Sequence, residues 1–202
     1  VVAGNAETGF EVCTPADTCK TGAYGNGDGQ LNSVLGVEVD GADVYVADTF
    51  NQRIQKFTAA GAYVGQWGGS GTGDGQFSYP VDVAIDGAGN VFVADLFLNR
   101  VQKFDSDGNY LAQWGSNGSG DGQFDYPTAI ATDGAGNVYV VETGNSRVQK
   151  FDGAGAYLAQ WGSYGSGDGQ FNAPYGLAVD TAGGLYVSEV LNYRVQRIGA
   201  TD

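Results

Sequence analysis

Short apolar segments alternate with glycine-rich turns along nearly the whole chain, which is the pattern of half-buried β-strands joined by tight turns. In the most regular unit, the pattern predicts strands over 128–133, 138–142, 147–151 and 156–161. Apolar and polar side chains alternate along 147–151, so one face of this strand is buried and the other is polar. No segment has helical periodicity of useful length. The sequence therefore predicts an all-β fold.

The four-strand unit recurs along the chain. The triplet Asp-Gly-Gln returns at intervals of 46 or 47 residues, beginning at Asp28, Asp74, Asp121 and Asp168. A repeat of this length is one supersecondary unit that cannot bury its apolar face alone, so it must stack on its neighbours. Four antiparallel strands at this period describe one blade of a β-propeller. We predict a single domain, 1–202, with repeats at 25–70, 71–117, 118–164 and 165–198.

Four recurring motifs resemble those of the NHL-repeat family of β-propellers. They are Pro-x-x-x-Ala-x-Asp, Gly-Asn-Val-Tyr-Val-x-(Asp/Glu), Asn-x-Arg-Val-Gln-Lys-Phe and Trp-Gly-Ser. The resemblance covers roughly residues 22–198 and implies a propeller that usually closes with six blades, whereas this chain holds about four repeats. Leu98 departs from the motif because the other repeats have asparagine there, and Val34 stands where the later repeats have proline.

The two ends of the chain leave three ways to complete the propeller. The chain stops after the third strand of its last blade, at 194–198, whereas residues 10–24 of the N-terminal segment 1–24 are in register with the last two strands of a blade. The spare strand completes the last blade of the same molecule and closes the ring, or it completes a blade of another molecule and builds an oligomer or a fibre. In the third interpretation, the chain is an open segment of a six-blade ring.

Cys13 and Cys19 are the only two cysteines of the sequence, and they flank a predicted turn at 14–17. A disulfide across such a hairpin is geometrically plausible, and it would imply an oxidising compartment. We therefore expect a disulfide and an extracellular or cell-surface location. A pair of free thiols is the alternative.

The chain is strongly acidic, with a net charge of −14. This charge repels nucleic acid and anionic lipid. Eight of the nine basic residues fall in the columns of the repeat, so no basic surface is left for RNA. No stretch approaches the roughly 20 apolar residues that a membrane helix needs. We expect neither a nucleic-acid partner nor insertion into a membrane.

In every repeat, an acidic residue precedes an arginine by five positions and flanks the same turn between two strands. These pairs are Asp48 with Arg53, Asp95 with Arg100, Glu142 with Arg147, and Glu189 with Arg194. A pair that every blade carries is explained by what every blade needs. We therefore predict four structural ion pairs within the blades.

Two carboxylates break the repeat. Glu38 stands where the other repeats have alanine, and Asp82 stands where they have glycine or alanine. Both lie on predicted first strands, which run beside the central channel of a propeller, and strand alternation places the two columns on one face. They are the candidate site for a cation or a polar ligand. The alternative is a solvated channel mouth with no specific role.

The sequence has no histidine, so no Ser-His-Asp or Cys-His set is possible. We identify no catalytic residue, no metal site and no cofactor, and the Gly-Asp-Gly turns match known calcium repeats poorly. The predicted function is an extracellular, non-enzymatic scaffold that binds a protein or small-molecule ligand. The alternatives are a self-assembling structural or filament-forming surface protein built by strand donation, and a cation-dependent hydrolase that uses Glu38 and Asp82.

Overall fold

The structure is a computed structural model that describes residues 23–199. It confirms the all-β propeller fold: strands assemble into four antiparallel sheets, the blades, and within each blade they lie side by side in sequence order. The predicted N-terminal strands and the Cys13–Cys19 hairpin lie outside the described residues. No helix among the described residues is long and apolar enough to cross a membrane.

Each of the first three blades has four strands, and the last has three within the described residues. The first blade contains β1 (Val34–Asp40), β2 (Asp43–Asp48), β3 (Arg53–Thr58) and β4 (Tyr63–Gly68), with a 3-10 turn at Thr49–Asn51. The second contains β5 (Pro80–Ile85), β6 (Val91–Asp95), β7 (Arg100–Phe104) and β8 (Tyr110–Trp114). The third contains β9 (Pro127–Thr132), β10 (Val138–Glu142), β11 (Arg147–Phe151) and β12 (Tyr157–Trp161). The last contains β13 (Pro174–Val179), β14 (Leu185–Glu189) and β15 (Arg194–Ile198).

The hydrophobic core lies between the blades. Successive inner strands pack together, β1 with β5, β5 with β9, and β9 with β13. Between the first two blades, Tyr45 and Ile54 of the first blade pack with Val83, Val91 and Phe104 of the second, and all five are buried. The same residue columns form the next two interfaces. Because the second and third blades are covered on both faces, β6 and β10 are buried at every residue.

The recurring tryptophan of the outer strand packs on the next blade. The ring centroids of Trp67 and Phe104 are 5.8 Å apart, and the Trp67 indole lies over Gly108 in the β7–β8 turn. A Cβ atom on Gly108 would lie 2.6 Å from this indole, and the residue has φ +86°, so the turn requires glycine. Trp114 and Gly155 repeat the arrangement between the second and third blades. Packing between blades thus explains why this tryptophan and this glycine both recur in the repeat.

Candidate functional site

Three of the four expected ion pairs are present in the structure. The shortest N–O distances are 2.7 Å for Asp48–Arg53, 2.7 Å for Glu142–Arg147 and 2.6 Å for Glu189–Arg194. All three carboxylates are buried. Because a buried charge requires a partner, these pairs belong to the scaffold of each blade.

The arginine of each pair also fixes the glycine-rich link between blades. Arg147 donates through its Nη atoms to the backbone carbonyls of Ser119 (2.8 Å), Gly120 (3.0 Å) and Gln123 (2.9 Å). The buried Gln149 amide donates to the same Gln123 carbonyl at 2.7 Å. The Arg and Gln columns of the repeat therefore satisfy the backbone of a loop that has few side chains of its own.

The fourth expected pair, Asp95 with Arg100, is not formed, and here the prediction is wrong. Arg100 still donates to backbone carbonyls of its link, but its buried Nε has no hydrogen-bond partner. The Asp95 carboxylate accepts hydrogen bonds from the backbone N–H groups of Ser78 (2.9 Å) and Tyr79 (3.0 Å). The first contact has a counterpart in the third blade, from Asp125 to Glu142, but the second does not, because the Tyr126 N–H donates to Asn99.

The physical reason lies three residues beyond the carboxylate. In the third blade, the Asn145 amide donates to both the Glu142 carboxylate (2.6 Å) and the Gly118 carbonyl (2.8 Å), which holds the carboxylate beside its arginine. Leu98 occupies this place in the second blade and has no donor. Without this amide, the Asp95 carboxylate accepts from two N–H groups of the incoming link, those of Ser78 and Tyr79, and not from Arg100.

The structure brings both carboxylates of the candidate site, Glu38 and Asp82, to one central cavity of about 300 Å³. Residues of the inner strands of all four blades line it, and none of the lining residues is basic. Small apolar residues, including Ala131 and Ala178, form much of the remaining wall. The cavity therefore presents negative charge against an otherwise uncharged surface.

Asp82 connects two blades at the wall of this cavity. Its Oδ1 accepts a hydrogen bond from the N–H of Val83, and its Oδ2 accepts one from the N–H of Ile130 in β9, both at 3.0 Å. Gly36 allows β1 to approach from the other side, because a Cβ atom there would lie 2.5 Å from the Asp82 Cα and 2.9 Å from the Val81 carbonyl oxygen.

The environment raises the pKa of both acids. Burial raises the pKa of Asp82 to about 6, the hydrogen bonds from the Ile130 and Val83 amides oppose this rise, and the negative charge of Glu38 adds to it. Burial also raises the pKa of Glu38 above its ordinary value. The charge in the cavity therefore changes near pH 6. Among the described residues, no group of three or more His, Cys, Asp or Glu side chains could hold a metal ion, so a cation here would have at most two carboxylate ligands and water.

An exposed aromatic surface, which we did not predict from the sequence, lies at one end of the propeller. At this end, the loops between the second and third strands of the blades meet the interblade links. The surface consists of Phe50, Tyr79 and Phe97, with ring centroids 5.8 Å apart for Phe50–Tyr79 and 4.6 Å apart for Tyr79–Phe97. Phe50 and Phe97 are each 54% exposed. One feature of the sequence could have indicated this surface: Phe50 and Phe97 occupy equivalent loop positions, where the third repeat has Gly144.

Comparison with known proteins supports the repeat. Residues 124–151 match the sequence profile of the NHL repeat. The chain is 43% identical over 68 residues to Protein brain tumor of Drosophila melanogaster, an alignment that covers 33% of this chain and 7% of that protein.

Solved structures share the fold. A streptogramin B lyase superimposes with a TM-score of 0.66 at 17% identity, over 83% of this chain and 52% of the lyase. A catalytically inactive histidine-to-alanine variant of virginiamycin B lyase from Staphylococcus aureus, solved with quinupristin, gives 0.63 at 14% identity, over 83% and 53% of the two chains. This chain thus spans about half the length of these structures.

Proposed function

We propose that this chain, which belongs to the NHL-repeat family of β-propellers, is a non-enzymatic scaffold that binds a protein partner outside the cell. Its recurring charged and aromatic columns serve the packing of the blades. The binding surface must therefore come from residues that depart from the repeat.

The aromatic surface of Phe50, Tyr79 and Phe97 carries the proposal. Aromatic side chains are enriched in the energetically dominant parts of protein interfaces, because they bury a large apolar area with little loss of conformational freedom. Here the Tyr79 ring contacts both Phe50 and Phe97, and the two phenylalanines remain accessible at the loop end of the scaffold. Blade packing does not require the two phenylalanines, because the third repeat has glycine at their position. Tyr79 is half-buried against the core, and the third repeat has tyrosine at its place.

The chemistry of the chain supports binding over catalysis. The lyase with the same fold is an enzyme whose histidine-to-alanine variant is inactive, but this chain contains no histidine. Carboxylates at the central cavity are candidates for proton transfer, and the wall around them contains no basic residue.

The proposed location outside the cell rests on Cys13 and Cys19, which we expect to form a disulfide. Peptide mapping of the protein purified from its source, with and without reduction, tests it. We expect one peptide pair linked through Cys13 and Cys19. Free thiols at both positions would contradict the proposed compartment.

Binding is tested with immobilised wild-type protein and two double variants, exposed to medium from its source cells. Phe50→Ser/Phe97→Ser removes two rings of the aromatic surface. Leu111→Ser/Leu158→Ser is the matched control, because these outer-strand side chains are each 50% exposed. We expect quantitative mass spectrometry to find a protein retained by wild type and control but lost from the aromatic variant. Once purified, the retained protein should bind the aromatic variant at least tenfold more weakly than it binds the wild type. Equal binding by all three forms would refute the proposal.

A cation bound in the central cavity is a second candidate, favoured by the placement of Glu38 and Asp82 in one cavity without a basic residue. A bound cation would also be required if the protein were a cation-dependent hydrolase, which is the alternative function. Calorimetric titration of calcium at pH 7.5, a pH chosen above the Asp82 pKa of about 6, tests it with Glu38→Ala as the control. Heat of binding in the wild type that is lost in the variant would support the site, and no heat in the wild type would eliminate it.

A further inference from the structure

Two residues of the third blade depart from the repeat at neighbouring positions of the structure. Gly144 lies in the β10–β11 loop, where the other repeats have large apolar residues, Phe50, Phe97 and Leu191. Asp125 lies in the link that leads into β9, where the other repeats have uncharged polar residues, Asn32, Ser78 and Asn172. The blades on both sides of the third are described, so this place is not at an open end of the propeller.

The two departures are in contact with each other. A Cβ atom on Gly144 would meet the carboxylate of Asp125 and would lie 2.9 Å from its Cβ atom, so the carboxylate fills the space in which the larger side chains of the other repeats begin. The loop backbone does not select glycine, because Gly144 does not have a positive φ. Its N–H donates to the Asp125 carbonyl at 3.1 Å, which is the contact that Phe50 makes with Asn32 in the first blade. Glycine at this position therefore makes room for the carboxylate.

The carboxylate of Asp125 has no hydrogen-bond or ion-pair partner in the part of the chain that the structure describes. The hydrogen bonds of this residue are made by its backbone, which donates to Glu142 and accepts from Gly144. Arg147, the arginine of the same blade, is paired with Glu142 and donates to carbonyls of the link. Because a carboxylate forms its strongest hydrogen bonds with charged donors, Asp125 is available to a cationic group of another molecule.

An exposed aromatic residue adjoins this carboxylate. Tyr126 directly follows Asp125, is 51% exposed, and donates its backbone N–H to Oδ1 of Asn99 at 3.0 Å. Asn99 belongs to the loop of the second blade that also carries Phe97, so this contact places Tyr126 beside the aromatic surface. Tyr126 holds the place of Tyr79, but no other aromatic ring of the described residues contacts it, since the loop of its own blade has glycine instead of phenylalanine. Where the second blade has a further ring, the third blade thus has an open position bordered by a ring and a carboxylate.

We propose that Asp125, Tyr126 and Gly144 form a notch that receives an arginine side chain of the protein partner. This inference rests on the proposed function and names the chemistry of that partner. A guanidinium group donates two parallel hydrogen bonds to a carboxylate and stacks on an aromatic ring, whereas the lysine ammonium lacks this planar fork. The net charge of −14 attracts a basic segment. Apolar residues next to the arginine then pack on the aromatic surface.

Short random peptides displayed on phage are the probe, and they are selected in parallel on three immobilised proteins. The wild type is compared with Asp125→Ser/Gly144→Phe, which gives the third blade the residues that the second has at Ser78 and Phe97. Because the second blade already contains this combination, the double variant should keep the circular-dichroism spectrum of the wild type. The charge control is Asp107→Asn, in the exposed β7–β8 turn at the opposite end of the propeller. We expect peptides with arginine next to an apolar residue to be enriched at least tenfold on the wild type and on Asp107→Asn, but not on the double variant.

Synthetic forms of the most enriched peptide measure the contact directly. One form carries the arginine, and the other carries citrulline, which keeps the shape of the side chain without its charge. Calorimetric titration should show that citrulline weakens binding to the wild type at least tenfold, and that Asp125→Asn weakens binding of the arginine form by a similar factor. The citrulline form should bind the wild type and Asp125→Asn equally, because the charged contact is already lost.

The outcomes separate this inference from the proposed function. The notch is refuted if arginine enrichment is the same on the wild type and the double variant, or if the arginine peptide binds the wild type and Asp125→Asn equally. If Phe50→Ser/Phe97→Ser abolishes binding in either case, the aromatic surface remains the binding surface without an arginine contact. If Phe50→Ser/Phe97→Ser binds the arginine peptide as tightly as the wild type but Asp125→Asn does not, the notch stands and the role given to the aromatic surface is wrong.

Discussion

Asp82 reaches from the inner strand of the second blade to that of the third, where its Oδ2 accepts a hydrogen bond from the backbone N–H of Ile130 at 3.0 Å. The other blades have glycine or alanine in this column, so the contact is specific to the second blade. It places a carboxylate in a buried environment that favours the neutral acid. The stability of the propeller should therefore depend on the protonation of this one residue.

We predict that Asp82→Asn flattens the pH dependence of stability between pH 4 and pH 6. The folded-state pKa of about 6 lies above the ordinary value of 3.8, so the native state binds more protons in this window and its stability falls as pH rises through it. The full shift corresponds to an upper value of about 3 kcal/mol. Urea unfolding at pH 4, 5, 6 and 7 measures it, with Asp107→Asn in an exposed turn as the control. If the free energy of unfolding had the same pH dependence in the wild type and in Asp82→Asn, the prediction would be wrong.

Gly36→Ala should destabilise the protein by about 1–3 kcal/mol, because the added Cβ would collide with backbone atoms of Val81 and Asp82. Gly65→Ala is the matched control. A Cβ atom on Gly65 meets nothing within 4 Å, and the second and third blades have alanine at this place. We expect the control to be neutral or slightly stabilising in chemical denaturation. Equal effects of the two substitutions would show that β1 does not approach β5 as closely as described.

Much of the scaffold could be predicted from the sequence because the same structural residues recur in every blade. A column such as that of Arg147 recurs four times, and only a requirement shared by all blades explains it. The placement of Glu38 and Asp82 beside the channel follows from the register of inner strands, which alternation fixes. The hydrogen bond from Ile130 could not be predicted, since it depends on the distance between inner strands of neighbouring blades.

Residues on loops and at blade ends were harder to interpret. Phe50 and Phe97 are 47 positions apart in the sequence, and only the stacking of blades places Tyr79 between their rings. The missing pair of Asp95 and Arg100 had a sequence signal in Leu98, but its consequence depends on which way a short carboxylate turns.

Arg147→Ala should be more destabilising than Arg100→Ala. Both arginines donate to backbone carbonyls of an interblade link, but only Arg147 pairs with a buried carboxylate, that of Glu142. Leaving this charge unpaired should destabilise the fold by about 3–5 kcal/mol. Arg100→Ala should cost less, because Arg100 forms no ion pair with Asp95 and its removal leaves no carboxylate newly unpaired. Guanidinium unfolding of the two variants measures the difference, and a larger loss for Arg100→Ala would contradict our assignment of the pairs.

The reciprocal exchange of Leu98 and Asn145 tests why the second blade lacks its ion pair. Leu98→Asn supplies the missing amide, which should draw Asp95 toward Arg100 and stabilise the protein by about 0.5–1.5 kcal/mol. Asn145→Leu removes a donor from Glu142 and from the Gly118 carbonyl, so it should destabilise by about 1–3 kcal/mol.

A double-mutant cycle between Leu98→Asn and Arg100→Ala then reports whether the pair has formed. A coupling energy of about 1 kcal/mol or more is expected if the new amide positions the carboxylate beside the arginine. Additive effects would mean that Asp95 keeps its backbone partners and that the leucine is not the reason for the missing pair. The same cycle in the third blade, with Asn145→Leu and Arg147→Ala, provides the reference, because there the carboxylate, amide and arginine are already in contact.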